Sequence, residues 1–244
     1  MRDPLIIPYN HQFLVIASDN SGGIGLKEKD VVKVPYDIVA YYSFRVAVME
    51  CIAAGADPVS IVMQNFCGEE AWSALNGGIQ QGVEELGIDI PVTGSTESNM
   101  ELLQSAVGMN VIGISNHLPN YEMINLSEDK LAVIGKPLVG NEVMEYPQSI
   151  VPLAVFKWLC EQDEITVLPV GSKGIAHEVR QLLPEIKLED IQADLDIHKS
   201  AGPSTCLVIS YPVDLKTAIQ RVTGNLFYGV TLSSQHDRCD KMGL

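Results

Sequence analysis

The segment from Ile38 to Ala54 contains neither proline nor glycine, and this feature most limits how the chain can fold. Its apolar residues recur at three- and four-residue spacing, which predicts an amphipathic helix. Gly55 follows directly and predicts the end of that helix, because glycine adopts the left-handed conformation that is common just after a helix. Strand-like segments lie on both sides of the helix, so helices and sheets must combine in one fold.

Short apolar runs bounded by turn residues predict the other elements. In the first half they predict strands at residues 11–17, 31–34, 59–66, 90–92 and 106–114 and a second helix at residues 69–86. In the second half they predict strands at residues 131–134, 166–170, 206–211 and 227–232 and helices at residues 149–160, 175–183 and 215–222. No βαβ unit repeats, so the sequence predicts an α+β fold.

A polar segment at residues 115–130 contains a proline and is the best candidate linker. We therefore expect two subdomains, at residues 1–115 and residues 131–244.

The charge of the chain excludes several classes of partner. The sequence has 16 Lys and Arg residues and 31 Asp and Glu residues, which gives a net charge of −15. This excess repels nucleic-acid phosphates and anionic lipid surfaces, and no Lys/Arg cluster interrupts it. Hydrophobic residues make up 46% of the chain, enough for a sizeable core. Small-molecule ligands remain.

The sequence shows no membrane-spanning or signal-peptide pattern, and this predicts where the protein resides in the cell. The longest apolar stretches fall well short of the ~20 residues that span a bilayer. The start of the chain carries no signal-peptide pattern. The five cysteines are an odd number without CxxC spacing, which favours reduced thiols. We therefore expect a cytoplasmic protein.

Four acidic residues near the ends of predicted elements are candidate metal ligands: Asp19, Asp37, Glu50 and Glu97. Carboxylates brought together would repel one another unless a divalent cation neutralised them, and Mg²⁺ prefers such oxygen ligands. The alternative for each acid is a solvated surface position or a helix N-cap. Asp37 is well placed to cap the helix that follows it.

The segment from Ser21 to Gly25 is rich in glycine. Gly22, Gly23 and Gly25 would allow backbone N–H groups to approach phosphates closely. The segment is not a P-loop, because it lacks the GxxxxGK[ST] pattern. The alternative is a β-turn that connects two strands.

The order of four segments resembles the aminoimidazole-ribonucleotide synthetase superfamily: Asp19–Gly25, Asp37–Ala40, Met49–Pro58 and Thr93–Glu97. The Gly55–Pro58 box after an apolar helix is the most specific of these matches. Thiamine-monophosphate kinase, selenophosphate synthetase and the hydrogenase-maturation dehydratase belong to the same superfamily.

The resemblance continues into the second half. Leu131–Gly140 is similar to the strand-and-glycine opening of the family's C-terminal domain. Gly171–Ile175 occupies the position of its Ser-Asp-Gly-Leu box, and Ala201–Thr205 that of its Gly-Gly-Glu-Asp box. The resemblance covers nearly the whole chain and implies a shortened C-terminal domain.

The resemblance implies a function for each subdomain. It implies that the N-terminal domain binds ATP and Mg²⁺ and pairs with a second copy in a homodimer. The four acidic residues would hold Mg²⁺, and two sets of residues would lie at the nucleotide: Gly22, Gly23 and Gly25, with Gly94, Ser95 and Thr96. The C-terminal domain is expected to be a second α+β unit.

Two departures from the family pattern bear on catalysis. Met49–Glu50 replaces an Asn-Asp or Ser-Asp pair, and Glu50 keeps a carboxylate there. In the second box, Val170 and Lys173 stand where the family has aspartates. Lys173 cannot coordinate Mg²⁺, but its charge would stabilise a transferring phosphoryl group. The alternative is that Lys173 is solvated and the site is degenerate.

These observations predict an ATP- and Mg²⁺-dependent phosphotransferase that acts on a small nucleoside-like substrate. A reduced member of this kind resembles the α-ribazole kinases of cobalamin lower-ligand salvage. The alternative is a non-catalytic nucleotide-binding or regulatory protein that has lost its second metal site. His117, His177 and His198 are candidate general bases, although a structural or exposed position is the better prediction for all three.

Overall fold

The computed structural model describes residues 4–117 and 129–233. They form two compact units, one of residues 4–117 and 152–160 and the other of residues 129–151 and 161–233. The structure therefore groups residues 152–160 with the first unit, whereas the boundary expected from the sequence leaves them in the second half. Residues 118–128 of the predicted linker lie outside the described residues.

The elements follow one another along both units. The strands are β1 (Leu5–Tyr9), β2 (Gln12–Gly22), β3 (Ile24–Gly25), β4 (Val32–Lys33), β5 (Asp57–Asn65), β6 (Val92–Thr96), β7 (Ala106–Ser115), β8 (Asp129–Ile134), β9 (Thr166–Pro169), β10 (Ile191–Ala193), β11 (Leu207–Pro212) and β12 (Phe227–Leu232). The helices are α1 (Tyr36–Ala53), α2 (Trp72–Leu86), α3 (Glu142–Glu145), α4 (Leu153–Cys160), α5 (Ile175–Leu182) and α6 (Lys216–Thr223).

The first unit is built on a five-stranded sheet with the order β1-β2-β7-β5-β6. Neighbouring strands are antiparallel except β5 and β6, which are parallel. Alternate residues of β7, such as Val107, Met109 and Val111, are buried beneath α1, which packs against β2 and β7. This alternation with period two is typical of a sheet that packs one face on a core.

Helix α2 packs closely on α1 because it presents glycine at the contact. A Cβ atom at Gly78 would overlap the backbone carbonyl of Asp37, and one at Gly82 would overlap the ring of Phe44. Small residues let two helix backbones approach, so the sequence of α2 fixes how the two helices lie together.

The second unit is an antiparallel sheet with the order β10-β12-β8-β11-β9. Apolar residues of its strands, including Val133, Leu168 and Val208, pack with Ile175 and Val179 of α5 in one buried cluster. The strand ends at Ile134, Leu207 and Pro169 lie side by side in the register, so the segments that follow or precede them share one end of the sheet.

The α+β class predicted from the sequence is confirmed by these two sheets and their helices. The sequence missed β1, an edge strand that follows Pro4 and contains Pro8, because both prolines resemble turn signals. It also placed one strand at residues 90–92, whereas the observed β6 is Val92–Thr96. The predicted helix at residue 149 begins only at Leu153, after Pro152. No helix within residues 4–117 and 129–233 is long and apolar enough to cross a membrane.

A buried charge lies in the helical layer of the first unit. Arg45 of α1 is fully buried and hydrogen-bonds to the Tyr41 side chain. Tyr41 Oη donates to Glu85 Oε2 at 2.7 Å. Burial lowers the pKa of the Arg45 guanidinium, while Tyr41 and Glu85 oppose that shift. The guanidinium stays charged in proteins, so Glu85 supplies the compensating negative charge.

The same carboxylate fixes helix α4. The backbone N–H of Leu153, at the start of α4, donates to Glu85 Oε1 at 2.8 Å. In return, Lys157 Nζ donates to the backbone oxygen of Leu86, at the end of α2, at 2.9 Å. Each helix thus satisfies backbone groups that the other leaves open at its terminus. This reciprocal contact explains why α4 belongs to the first unit.

We expect Glu85→Gln to destabilise the protein by about 3 kcal/mol, because it removes a negative charge that faces the buried Arg45 guanidinium. Urea unfolding at neutral pH measures this loss. Glu84→Gln is the matched control, since Glu84 is an exposed neighbour on the same helix, and its effect should stay within about 0.5 kcal/mol. Equal unfolding midpoints for the two variants would contradict the role given to Glu85.

Candidate functional site

A cleft of about 610 Å³ opens in the first unit. Three segments line it: Lys27–Glu28 between β3 and β4, Cys67–Glu70 after β5, and Glu97–Leu103 after β6. All three are connecting segments outside the sheet strands. Binding residues are often carried by loops on a rigid scaffold, so the way each segment is held decides what the cleft can do.

Asp30 holds the first wall. The residue is buried, and its Oδ1 accepts from the Ser105 backbone N–H at 2.7 Å. Its Oδ2 accepts from Ser105 Oγ at 2.7 Å and from the Lys27 backbone N–H at 2.8 Å. Burial alone would raise the pKa of the Asp30 carboxyl, but the bonds from Ser105 and Lys27 outweigh it and hold that pKa below its ordinary value.

The predicted glycine segment is folded back on itself beside this wall. The Gly23 backbone N–H donates to Ser105 O at 2.8 Å, and the Gly23 oxygen accepts from Val31 N at 2.7 Å. A Cβ at Gly25 would overlap Ser105 and the Tyr36 ring. The structure thus uses Gly23 and Gly25 for close chain packing, as in the turn alternative, whereas Gly22 is exposed at the end of β2.

Asn65, at the end of β5, holds the second wall. Its side chain is buried, and its Oδ1 accepts from the Cys67 backbone N–H at 2.8 Å. Its Nδ2 donates to Gly68 O at 2.8 Å and to Thr96 Oγ1 at 3.1 Å. One amide therefore joins the turn after β5 to the end of β6.

Glu97 holds the third wall by capping its own loop. Its Oε1 accepts from the backbone N–H groups of Asn99, at 2.7 Å, and Met100, at 3.0 Å. These bonds, that of Asn99 first, lower the pKa of the Glu97 carboxyl. The predicted metal ligand is therefore ionised and already orders the loop that lines the cleft.

The predicted nucleotide residues before Glu97 belong to strand β6. Gly94 and Ser95 are exposed at this edge of the sheet, and Thr96 is half-buried beside Asn65. A Cβ at Gly94 would overlap the Met63 backbone oxygen, so glycine permits the close approach of β6 to β5.

The other predicted metal ligands lie on different elements. Asp19 is a half-buried residue of β2. Burial raises the pKa of its carboxyl to about 7, against opposing hydrogen bonds from the Asn20 backbone and the Ser43 side chain. Asp37 lies in the first turn of α1 but makes no capping bond, because Pro35 is the N-cap residue. Glu50 is half-buried near the end of α1.

These acids do not form one preassembled cage. Within the described parts of the chain, no group of three or more His, Cys, Asp or Glu side chains is arranged to hold a metal ion. Mg²⁺ usually takes only one or two protein carboxylates and completes its shell with water and phosphate oxygens.

Lys173 lies in the second unit, in an exposed turn between β9 and α5. The two boxes predicted from the sequence are neighbours there, because Ala201 N donates to Gly171 O at 3.1 Å. The Ala176 N–H at the start of α5 donates to Ile197 O at 2.9 Å, so this helix terminus is partly satisfied by the chain. Val170 is buried in the core.

The three candidate histidines lie in exposed or half-buried positions. His117 and His198 are exposed, and His177 is half-buried on α5 within hydrogen-bonding distance of Gln181 at 3.2 Å. None of the three lines the cleft described above.

Sequence reasoning missed the residues that hold the cleft walls, Asp30 and Asn65. Asp30 ends the run Lys27-Glu28-Lys29-Asp30, which resembles a solvated charged turn. Asn65 lies one residue before the end of the strand predicted at residues 59–66 and gave no signal of its own. Only their tertiary partners, such as Ser105 and Thr96, distinguish them from surface polar residues.

We expect Asp30→Asn to destabilise the protein by about 2 kcal/mol at pH 7, because an amide cannot accept all three bonds. A lowered folded-state pKa contributes stability above the unfolded pKa of about 3.9, and this contribution is lost as the pH falls through the folded value. The free energies of unfolding of the parent and of Asp30→Asn, measured in urea, should therefore differ less at pH 3 than at pH 7. Asp89→Asn, at an exposed site, is the control. If the two proteins differ by the same free energy of unfolding at both pH values, the role of the Asp30 charge is refuted.

No family model matches the chain, and no curated protein matches it.

Solved structures do match the fold, at low identity. Thiamine monophosphate kinase from Aquifex aeolicus matches with a TM-score of 0.62 and 12% identity, over 96% of this chain and 89% of that one. The hydrogenase maturation protein HypE from E. coli matches with a TM-score of 0.58 and 11% identity, over 90% of this chain and 80% of that one. T. maritima PurL in complex with ADP matches with a TM-score of 0.61 and 9% identity, over 96% of this chain and 42% of that one.

Such identities establish the architecture alone. The chain has the same fold as these three structures.

Proposed function

We propose that this protein is an ATP- and Mg²⁺-dependent phosphotransferase that acts on a small nucleoside-like molecule. The observation that carries the proposal is the cleft walled by Glu97–Leu103, directly after the strand residues Gly94–Thr96 that the family resemblance assigns to the nucleotide. The fold adds support, because matching structures include PurL with ADP and a thiamine monophosphate kinase with the nucleotide analogue AMPPCP.

We propose that Mg²⁺ binds together with phosphates and not in a cage of protein acids alone. Asp19 offers a half-buried carboxylate, and we propose Asp37, Glu50 and Glu97 as the further acids toward the metal. Bound Mg²⁺ would neutralise phosphate charge. The chain's own residues would position the nucleotide and the acceptor, which is most of what phosphoryl transfer requires of a protein.

We place Lys173 in the same reaction as a charge-stabilising residue. It is exposed in the turn before α5, and an ammonium group is able to stabilise charge on a transferring phosphoryl group. For the acceptor we propose a nucleoside, with α-ribazole as the first compound to test.

A second candidate function is a nucleotide-binding or regulatory protein without catalysis. Val170 and Lys173 favour it, because neither can replace a metal-binding aspartate and Val170 is buried in the core. Under this alternative the protein binds nucleotide but transfers no phosphoryl group.

We expect millimolar Mg-ATP to raise the melting temperature, because a ligand that binds only the folded state stabilises it. The shift should shrink in Asp19→Asn and persist in the exposed control Asp89→Asn. Release of ADP with a panel of nucleosides, α-ribazole included, then separates the two functions. A shift with acceptor-dependent ADP release supports the kinase, and a shift without release supports the regulatory protein. An unmoved melting temperature would refute both.

We also propose that a second copy covers the open face of the first sheet. The face opposite α1 carries paired apolar residues of β2 and β7, Leu14 with Ile114 and Ile16 with Ile112. Leu5 and Ile7 of β1 extend this face, and 57% and 38% of their surfaces are exposed. Contiguous apolar surface of this kind is typical of an interface, and a homodimer buries it without another partner.

We therefore expect the parent protein to be a dimer in light scattering at micromolar concentration. Ile16→Glu should give a monomer, because it places a charge in the centre of the apolar face. Val31→Glu, at a loop residue with 83% exposure, should leave the dimer intact. A monomeric parent would contradict the proposed interface.

A further inference from the structure

We propose that Lys27 binds a phosphate oxygen of a Mg²⁺-complexed ligand in the cleft of the first unit. This inference rests on the proposed function and adds to it the residue that receives the phosphate. The family resemblance assigned no role to Lys27, and the glycine segment that it did assign is engaged in its own chain packing.

The lining of the cleft singles out this residue. Lys27 is the only Lys or Arg among the described residues that line it. The lining also includes five glutamates: Glu28, Glu69, Glu70, Glu97 and Glu101. A bare anion would be repelled by these carboxylates, whereas a phosphate complexed with a divalent cation presents positive charge to them. The ammonium of Lys27 then offers a donor for the phosphate oxygens.

Lys27 is held in place at its backbone and at its side chain. Its N–H donates to Asp30 Oδ2 at 2.8 Å, and its carbonyl oxygen accepts from Lys33 Nζ. Its own Nζ donates to the Phe66 backbone oxygen at 2.9 Å. An ammonium has three donors, so this single bond orients the group and leaves it able to bind a ligand. Preorganised donors bind without the entropy cost of ordering a long side chain.

The neighbouring lysines have other positions. Lys29 pairs with Glu28 at 3.3 Å on the surface, where 59% of its side chain is exposed, and it does not line the cleft. Lys33 also donates to the Glu28 backbone oxygen at 3.2 Å, so its ammonium serves the loop itself. Lys29 therefore provides a matched control, a lysine of the same loop outside the cleft.

Calorimetric titration with Mg-ADP and with Mg-pyrophosphate tests the inference without any turnover. We expect Lys27→Met to weaken binding of both probes by roughly tenfold to a hundredfold, which is typical of a lost hydrogen bond to a charged group. Lys27→Arg should recover most of the affinity, since it restores a cation, and Lys29→Met should bind like the parent. Magnesium-free pyrophosphate should bind more weakly than Mg-pyrophosphate to every variant.

The outcomes separate this inference from the function on which it rests. If the parent binds Mg-ADP and Lys27→Met binds it equally well or more tightly, the role of Lys27 is refuted while the nucleotide function stands. If the parent binds Mg-pyrophosphate through Lys27 but no Mg-ADP, the inference stands and the nucleotide function is refuted. If the parent binds neither probe, both are refuted. Loss of affinity in Lys27→Met that Lys27→Arg does not recover would assign the effect to loop structure and refute the inference.

Discussion

The first unit depends on the compensation of one fully buried charge, that of Arg45. A guanidinium removed from water is costly unless its charge and its hydrogen bonds are compensated, and here compensation comes through Tyr41 from Glu85. Glu85 also accepts a hydrogen bond from the backbone N–H at the start of α4. The compensation of a charge on α1 therefore fixes the positions of α1, α2 and α4 relative to one another. An apolar contact would allow these helices to slide, whereas hydrogen bonds to one carboxylate allow a single arrangement.

The cleft follows the same rule on a smaller scale, in that buried polar side chains hold loops whose exposed side chains face the solvent. Asp30 and Asn65 are buried and use their side-chain oxygens on backbone N–H groups of their own unit. Glu97 does the same from the surface. Loops held in this way keep the shape of the cleft before any ligand arrives, so binding energy is not spent on ordering them.

The sequence predicts the fold better than it predicts the site, and the reason is physical. Helix α1 and the buried strands follow from periodicity, a property that each segment carries in itself. The burial of Arg45 and of Asp30 depends on partners far away in the chain, Glu85 and Ser105, and no local pattern contains that information. The family resemblance directed attention to Gly23, which the structure uses within its own loop.

The net charge of −15 must be reconciled with the proposed binding of a phosphate in the cleft. If surface repulsion alone governed the cleft, five glutamates around one lysine would exclude every phosphate, and the proposed chemistry would fail at the first encounter. A phosphate that is complexed with Mg²⁺ would be attracted instead, because the carboxylates would attract the metal while the ammonium would attract the phosphate oxygens. In the proposed function, the acidic lining would therefore favour metal-complexed phosphates over free ones, a discrimination that a basic phosphate pocket would not provide.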